Sequence, residues 1–173
     1  PMTFRLRIGC VALLGLLAAA CMPERNVVPP YYKDLARVDA SVDAAAAQQM
    51  ITSYRRSNGA GSLTIDPSLM QVAQKQALAM ARAQDIQASL QRGNSLAVRL
   101  AAAGEEKTYA VENVSAGYRT VAEAFSGWRD SPKHNAVMLD GKATRMGIAT
   151  AYAPGSRHKV YWSLVLAGPA GQP

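Results

Sequence analysis

The hydrophobic pattern of this chain changes period near its end, and that change limits the fold more than any other feature. "RMGIATAYA" (145–153) and "HKVYWSLVLAG" (158–168) are runs of β-branched, aromatic and small apolar residues. "PGSR" between them is a turn sequence, so the pair reads as a β-hairpin. Upstream, apolar residues recur three and four apart instead. In "DAAAAQQMITSYRRSNG", Ala47, Met50, Ile51 and Tyr54 share one helical face, with a start at Asp43 and a stop at Asn58-Gly59. In "LTIDPSLMQVAQKQALAMARAQDI", Asp66 is the expected N-cap and Pro67 the first helical residue. Leu69, Val72, Ala73, Ala77, Met80 and Ala81 then form an apolar stripe. "SLAVRLAAAG" gives a third, short helix that ends on Gly104. Thr120 and Glu123 form a capping box for "TVAEAFSGWRDS", and Ser131-Pro132 starts one more turn, "PKHNAVML". "YAVENVSAGYRT" between them is a loop or a short strand. Helices that precede and flank a terminal strand pair make the class α+β, with helices packed on an antiparallel sheet.

The first residues read as an address. Arg5 and Arg7 precede "IGCVALLGLLAAAC", whose apolar run, Ile8 to Ala20, falls short of the roughly 20 residues a membrane-spanning helix needs. A basic start, a short apolar core and small residues mark a secretory leader over residues 1–20. "LLAAAC" resembles a lipobox, the cleavage site of bacterial lipoproteins, with Ala18 where leucine is usual. That resemblance implies cleavage before Cys21 and a lipid on its sulfur, hence an exported, membrane-anchored protein of the bacterial cell envelope. Met22 after it is the pattern of outer-membrane sorting. A plain leader cut nearby and a retained helical anchor are the alternatives. Residues 21–40, with Pro29-Pro30, read as an extended tether. Residues 41–168 have the length of one domain, and "GPAGQP" leaves 169–173 as a disordered tail.

Charge and cysteine content remove several function classes. The formal charge is +7, of which Arg5 and Arg7 carry two. The remaining surplus is scattered, without the basic stripe and interleaved aromatics of a nucleic-acid surface, and suits an anionic lipid or cell-wall setting. Cys10 lies in the leader, so the mature chain keeps Cys21 alone. It can form no internal disulfide, cysteine zinc site or cysteine nucleophile.

The ordered set "YRRSNG", "LTIDPSLMQVAQKQALAMA", "ENVSAGY", "AFSGWRDSPKHNAVML", "RMGIA" and "YWSLVLA" resembles the CAP superfamily (cysteine-rich secretory, antigen 5 and pathogenesis-related 1 proteins) in its short bacterial form. The resemblance runs from about residue 45 to 168 and implies an α-β-α sandwich. It also implies a cleft of two histidines and two acids that in some members hold zinc. Position by position, Glu112 matches the glutamate of the "EN" motif, and His134 matches the second histidine. Ser131 stands where the second acid belongs, and "DIQASLQRGNSL" lacks the first histidine.

The residue chemistry narrows what this remnant does. A zinc site needs three or four protein ligands, and Glu112 with His134 supplies two. Zinc or another divalent cation is therefore the alternative, and no cofactor is the main expectation. His134 is expected to hydrogen-bond Glu112 and tie the "EN" loop to the "SPKH" turn, with a ligand contact or general-base role as the other readings. Asn113 is expected to satisfy backbone groups. Ser131 beside His134 suggests a nucleophile but is better placed as a helix cap. His158 falls in the hairpin turn, and Trp128, Trp162, Tyr118 and Tyr161 fall at core spacing. The function these features imply is a monomeric binding or interaction module whose ligand is a lipid, cell-wall material or an envelope protein. A metal-assisted hydrolase working from Glu112 and His134 is the alternative.

Overall fold

The computed structural model describes residues 27–173; the leader and the lipobox cysteine, Cys21, lie outside the described residues. Five helices run Ala44–Ser57 (α1), Pro67–Ala83 (α2), Leu96–Ala102 (α3), Val121–Asp130 (α4) and Pro132–Met138 (α5). Four strands run Thr64–Ile65 (β1), Ala110–Ala116 (β2), Arg145–Tyr152 (β3) and Val160–Ala167 (β4), in sheet order β1-β3-β4-β2. The caps read from sequence at Asp43, Asp66 and Thr120 are in place, and Ser95 adds a fourth. Asp43 accepts from Ala46 N, Asp66 from Ser68 N and Leu69 N, Ser95 from Val98 N and Thr120 from Glu123 N. In the capping box, Glu123 returns its bond to Arg119 N at 2.6 Å, one residue before the cap. "YAVENVSAGYRT" resolves into strand: β2 pairs antiparallel along its whole length with β4, from Ala110↔Ala167 to Ala116↔Tyr161. The antiparallel core β3-β4-β2 carries one addition that the sequence did not announce, the two-residue β1, which pairs parallel with β3.

β4 lies in the middle and is buried at every residue. Its alternation divides the core in two. Val160, Trp162, Leu164 and Leu166 pack with Ala47, Ile51, Ala124, Trp128 and Met138 of α1, α4 and α5. Tyr161, Val165 and Ala167 pack with Leu69, Val72, Ala77, Met80 and Leu100 of α2 and α3. This is the α-β-α sandwich. Trp128 and Trp162 meet edge to face at 5.9 Å within the first layer. Burying side chains of this size contributes roughly 1.5–3 kcal/mol each.

Gly147 sets how closely α2 approaches the sheet. A Cβ there would lie 2.1 Å from the Leu69 carbonyl carbon and 2.5 Å from Met70 N. Both are backbone atoms of the first turn of α2, so no side chain can swing away. Gly147→Ala is expected to lower stability by about 2–3 kcal/mol, a fall of roughly 5–10 °C in melting temperature. A melting curve that matches the wild type would mean that α2 can slide off the sheet freely.

Arg145 at the start of β3 pins three segments. Its Nη1 donates to Asp66 Oδ2 (2.9 Å) and Glu105 Oε1 (2.7 Å), its Nη2 to Glu105 Oε2 (3.1 Å) and its Nε to Gly168 O (2.9 Å). The Arg145 guanidinium holds the Glu105 carboxyl below its ordinary 4.5. Burial alone would raise Asp66, but Arg145 and the capping amides outweigh it and keep Asp66 below 3.8. Both carboxylates therefore bind protons less readily folded than unfolded. Their stabilisation is present above those ordinary values and is lost as pH falls through the lower folded ones. Acid unfolding should be less steep in Arg145→Met, whose two carboxyls return toward ordinary values, and an unchanged acid limb would refute the assignment.

Both ends of the domain are more firmly held than a tether and a disordered tail would be. Pro30–Tyr32 forms a 3-10 turn, Leu35 is buried, Leu35 N donates to Arg119 O at 2.8 Å, and Asp34 pairs with Arg119. Pro29 keeps the extended conformation that its ring favours, but from Pro30 the chain bends and docks because Leu35 finds a place in the core. At the other end, Tyr109 N donates to Gln172 O (2.8 Å) and Gly171 N to Thr108 Oγ1 (3.1 Å), so residues 169–173 are fastened to the start of β2. No helix among the described residues is long and apolar enough to cross a membrane.

Candidate functional site

Glu112 and Asn113 are neighbours on β2, and strand alternation sends them to opposite faces of the sheet. Glu112 shares its face with Ala110, Val114 and Ala116, which pack on the α2–α3 layer. Its carboxylate is fully engaged there. Oε2 accepts from Arg99 Nη2 at 2.7 Å and Gln76 Nε2 at 3.4 Å, and Oε1 accepts from Ser163 Oγ at 2.9 Å. Arg99 in turn donates to Val72 O (3.1 Å) and Asn94 O (3.0 Å), while Asn94 Nδ2 donates to Gln76 Oε1 and Ala88 O. Arg99 is 3% exposed and Glu112 12%, so this is a buried ion pair that joins α2, α3, the 86–94 turns, β2 and β4.

Asn113 faces the other layer, where it is 1% exposed. Its Nδ2 donates 2.9 Å to the backbone carbonyl of His134 in α5. The expected bond between His134 and Glu112 is thus not made. Glu112 turns to the α2–α3 face, away from the α5 backbone that Asn113 meets, and no hydrogen bond joins its carboxylate to the imidazole. The "EN" strand and the "SPKH" turn are tied all the same, through the asparagine and through the backbone of His134 rather than its ring. Asn113 Oδ1 is buried without a hydrogen-bond partner among the described residues.

The His134 ring is half-buried, and burial lowers its pKa below the ordinary 6.5. It is therefore neutral at pH 7, a protonation state suited to a base or a ligand. One residue further along α5, Asn135 Oδ1 accepts from Tyr54 Oη at 2.9 Å, and Tyr54 and Phe125 meet edge to face at 5.4 Å. Ser131 sits at the N-cap of α5 with Pro132 at the first helical position, but its hydroxyl makes no capping bond; its carbonyl accepts from Asn135 N at 2.8 Å. Neither Ser131 nor Glu112 bonds the imidazole, so the serine lacks the contact a base must make with a nucleophile. No group of three or more His, Cys, Asp or Glu side chains able to hold a metal occurs among the described residues. His158 is exposed in the hairpin turn, and Trp128, Trp162 and Tyr161 are core.

Sequence reading missed the arginines that organise both layers. Arg55 is fully buried, and its guanidinium donates to four backbone carbonyls, of Gly61, Met138, Asp140 and Ala143. The signal was present: Arg55 falls four residues after Ile51, and Gln76 four after Val72, each on the buried stripe of its helix. A charged or amide side chain on such a stripe must find polar partners.

Known proteins place this arrangement. An outer surface protein from Borrelia burgdorferi superposes with a TM-score of 0.62 at 16% identity, over 75% of this chain and 97% of its own. An extracellular protein containing an SCP domain from Bacillus anthracis str. Ames gives 0.58 at 20%, over 72% of this chain. A cysteine-rich secretory protein from Staphylococcus aureus subsp. aureus Mu50 gives 0.53 at 19%, over 71%. Of those last two this chain spans only 41% and 37% of the length. At such identities the likeness is one of fold. No curated protein sequence matches the chain. The sequence pattern of the cysteine-rich secretory protein family matches residues 48–166. That match covers more than half of the sequence and agrees with the three-layer fold, and on it the chain belongs to the CAP family.

Proposed function

We propose that this chain is an exported bacterial cell-envelope protein, held to a membrane through lipidated Cys21, whose CAP domain is a binding module and not a hydrolase. One observation carries the second half. Glu112 and His134, the two residues that match the family's cleft, make no hydrogen bond to each other, and both Glu112 oxygens accept from Arg99, Gln76 or Ser163 instead. A carboxylate held in that way serves as the partner of a buried ion pair rather than as a free ligand or base. The structural neighbours, an outer surface protein and an extracellular protein, support export, and the lipobox supports the anchor. The ligand class is a lipid, cell-wall material or another envelope protein.

Calorimetric titration of zinc into the mature protein, beside Glu112→Gln and His134→Ala, tests the cleft. The expected result is no saturable binding in the micromolar range. Zinc binding that disappears in both variants would restore a metal site and the hydrolase with it. Mass spectrometry of the mature N-terminus tests the anchor: the expected species begins at an acylated Cys21, and an unmodified start elsewhere removes it.

A further inference from the structure

β1 pairs with only the first two residues of β3, Thr64 with Arg145 and Ile65 with Met146, before the chain turns away at Asp66-Pro67 into α2. Among the described residues the rest of that edge has no strand beside it. Alternation aims the backbone groups of Met146, Ile148, Thr150 and Tyr152 outward, as two contacts mark. Met146 O accepts from Asp66 N, and Ile148 N donates to Met70 Sδ at 3.3 Å. The outward groups of Thr150 and Tyr152 meet no backbone partner among the described residues. The Thr150 hydroxyl oxygen is also buried without a partner there.

Exposed edges are ordinarily blunted by charge, proline or a bulge. "GIATAY", residues 147–152, carries neither charge nor proline, and its register against β4 runs unbroken. The edge instead lies along a groove. Residues 38–42 line one side and α2, through Gln74, Leu78 and Arg82, the other. Two hollows of about 560 and 270 Å³ lie end to end along it and share Thr150. From residue 148 to 154 the floor is roughly 20 Å long at strand rise, room for six or seven extended residues.

We propose that this edge of β3 is a docking site for an extended segment of a partner polypeptide, which adds to the sheet as a strand. The inference deepens the reading of the chain as a binding module and rests on it. Alternating N–H and C=O groups at strand spacing match another backbone, whereas a lipid tail would leave them unpaired, which is costly where water is displaced. Arg82 on one wall and Asp39 on the other fit a strand that presents an acidic side chain toward α2 and a basic one toward residues 38–42.

The probe is the labelled peptide acetyl-Val-Thr-Glu-Lys-Val-Thr-Val-amide, read by fluorescence anisotropy against the mature protein. Two isomers N-methylated at alternate amides, one set for each side of the strand, separate ladder pairing from mere apolar contact. The expected result is saturable binding that one isomer loses about tenfold or more while the other keeps it within about threefold. Amide exchange at Thr150 and Tyr152 should slow about tenfold when free peptide is ten times Kd. Thr150→Pro, which removes one edge N–H, should abolish binding, and Thr150→Val should keep it. If the proline variant fails to fold, the isomers and the exchange data decide. Equal effects of the two isomers, or no binding up to about 1 mM, overturn the strand site. So does a dimer in the free protein that buries the edge. Uptake of phospholipid vesicles or cell-wall fragments without peptide binding overturns it too, while leaving the binding-module reading in place.

Discussion

Replacing Arg55 with alanine is expected to cost about 3–5 kcal/mol, enough to remove a large part of the stability of a domain of this size. The side chain is 0% exposed. Nε donates to Gly61 O at 2.7 Å, Nη1 to Met138 O at 2.8 Å and Asp140 O at 2.9 Å, and Nη2 to Ala143 O at 3.0 Å. One guanidinium thus gathers the end of α1, the 59–61 turn, the end of α5 and the approach to β3. Hydrogen bonds to a charged group contribute about 1.5–3 kcal/mol each, and truncation leaves several carbonyls facing a void. Burial pushes the Arg55 pKa down, with Asp140 opposing, yet arginine stays protonated at any working pH. Arg55→Lys should recover little, because one ammonium cannot span the fork of four acceptors. Urea denaturation measures both. A loss under about 1 kcal/mol for alanine would mean that water replaces the guanidinium without strain.

Glu112→Ala should be nearly as damaging, and for a reason opposite to the one that the family motif suggests. It strands the guanidinium of Arg99, 3% exposed, with no counter-charge, and frees Ser163 Oγ and Gln76. Breaking a buried pair from one side costs about 3–5 kcal/mol. Adding Arg99→Met to the variant should return part of that loss, because the uncompensated charge is gone. That partial rescue separates a structural ion pair from a ligand-binding carboxylate. If Glu112→Ala kept its stability and the double variant were worse, the carboxylate would be free in the native state, and the buried ion pair would be wrong.

Much of this molecule was readable in advance. Asp43, Asp66 and Thr120 announce helix starts because a short polar side chain before an apolar stripe has few other uses. The end of helical spacing after residue 144 announces the hairpin, because two short runs rich in β-branched and aromatic residues flank a Pro-Gly turn. Gly147 was visible as part of a motif, though its cause, the backbone of Leu69, was not. β2 was ambiguous because it buries the polar Asn113 and Ser115 while the apolar Val111 and Val114 stay half-buried, so hydrophobicity does not track its faces. β1 was invisible because two residues carry no period.

The cleft was the least legible part. Glu112 and His134 are both present in the sequence, and elementary chemistry joins them. What separates them is a parity: Asn113, one residue along β2, points to α5, so Glu112 cannot. Local sequence therefore determined the kinds of elements, their ends, the family and the candidate residues, since these follow from propensity, capping and period within a few neighbours. Only the tertiary structure decided which face each residue of β2 took, which arginines were buried and what they bound. Those outcomes depend on pairings with β4, α2 and α5, tens of residues away, whose register no local pattern contains.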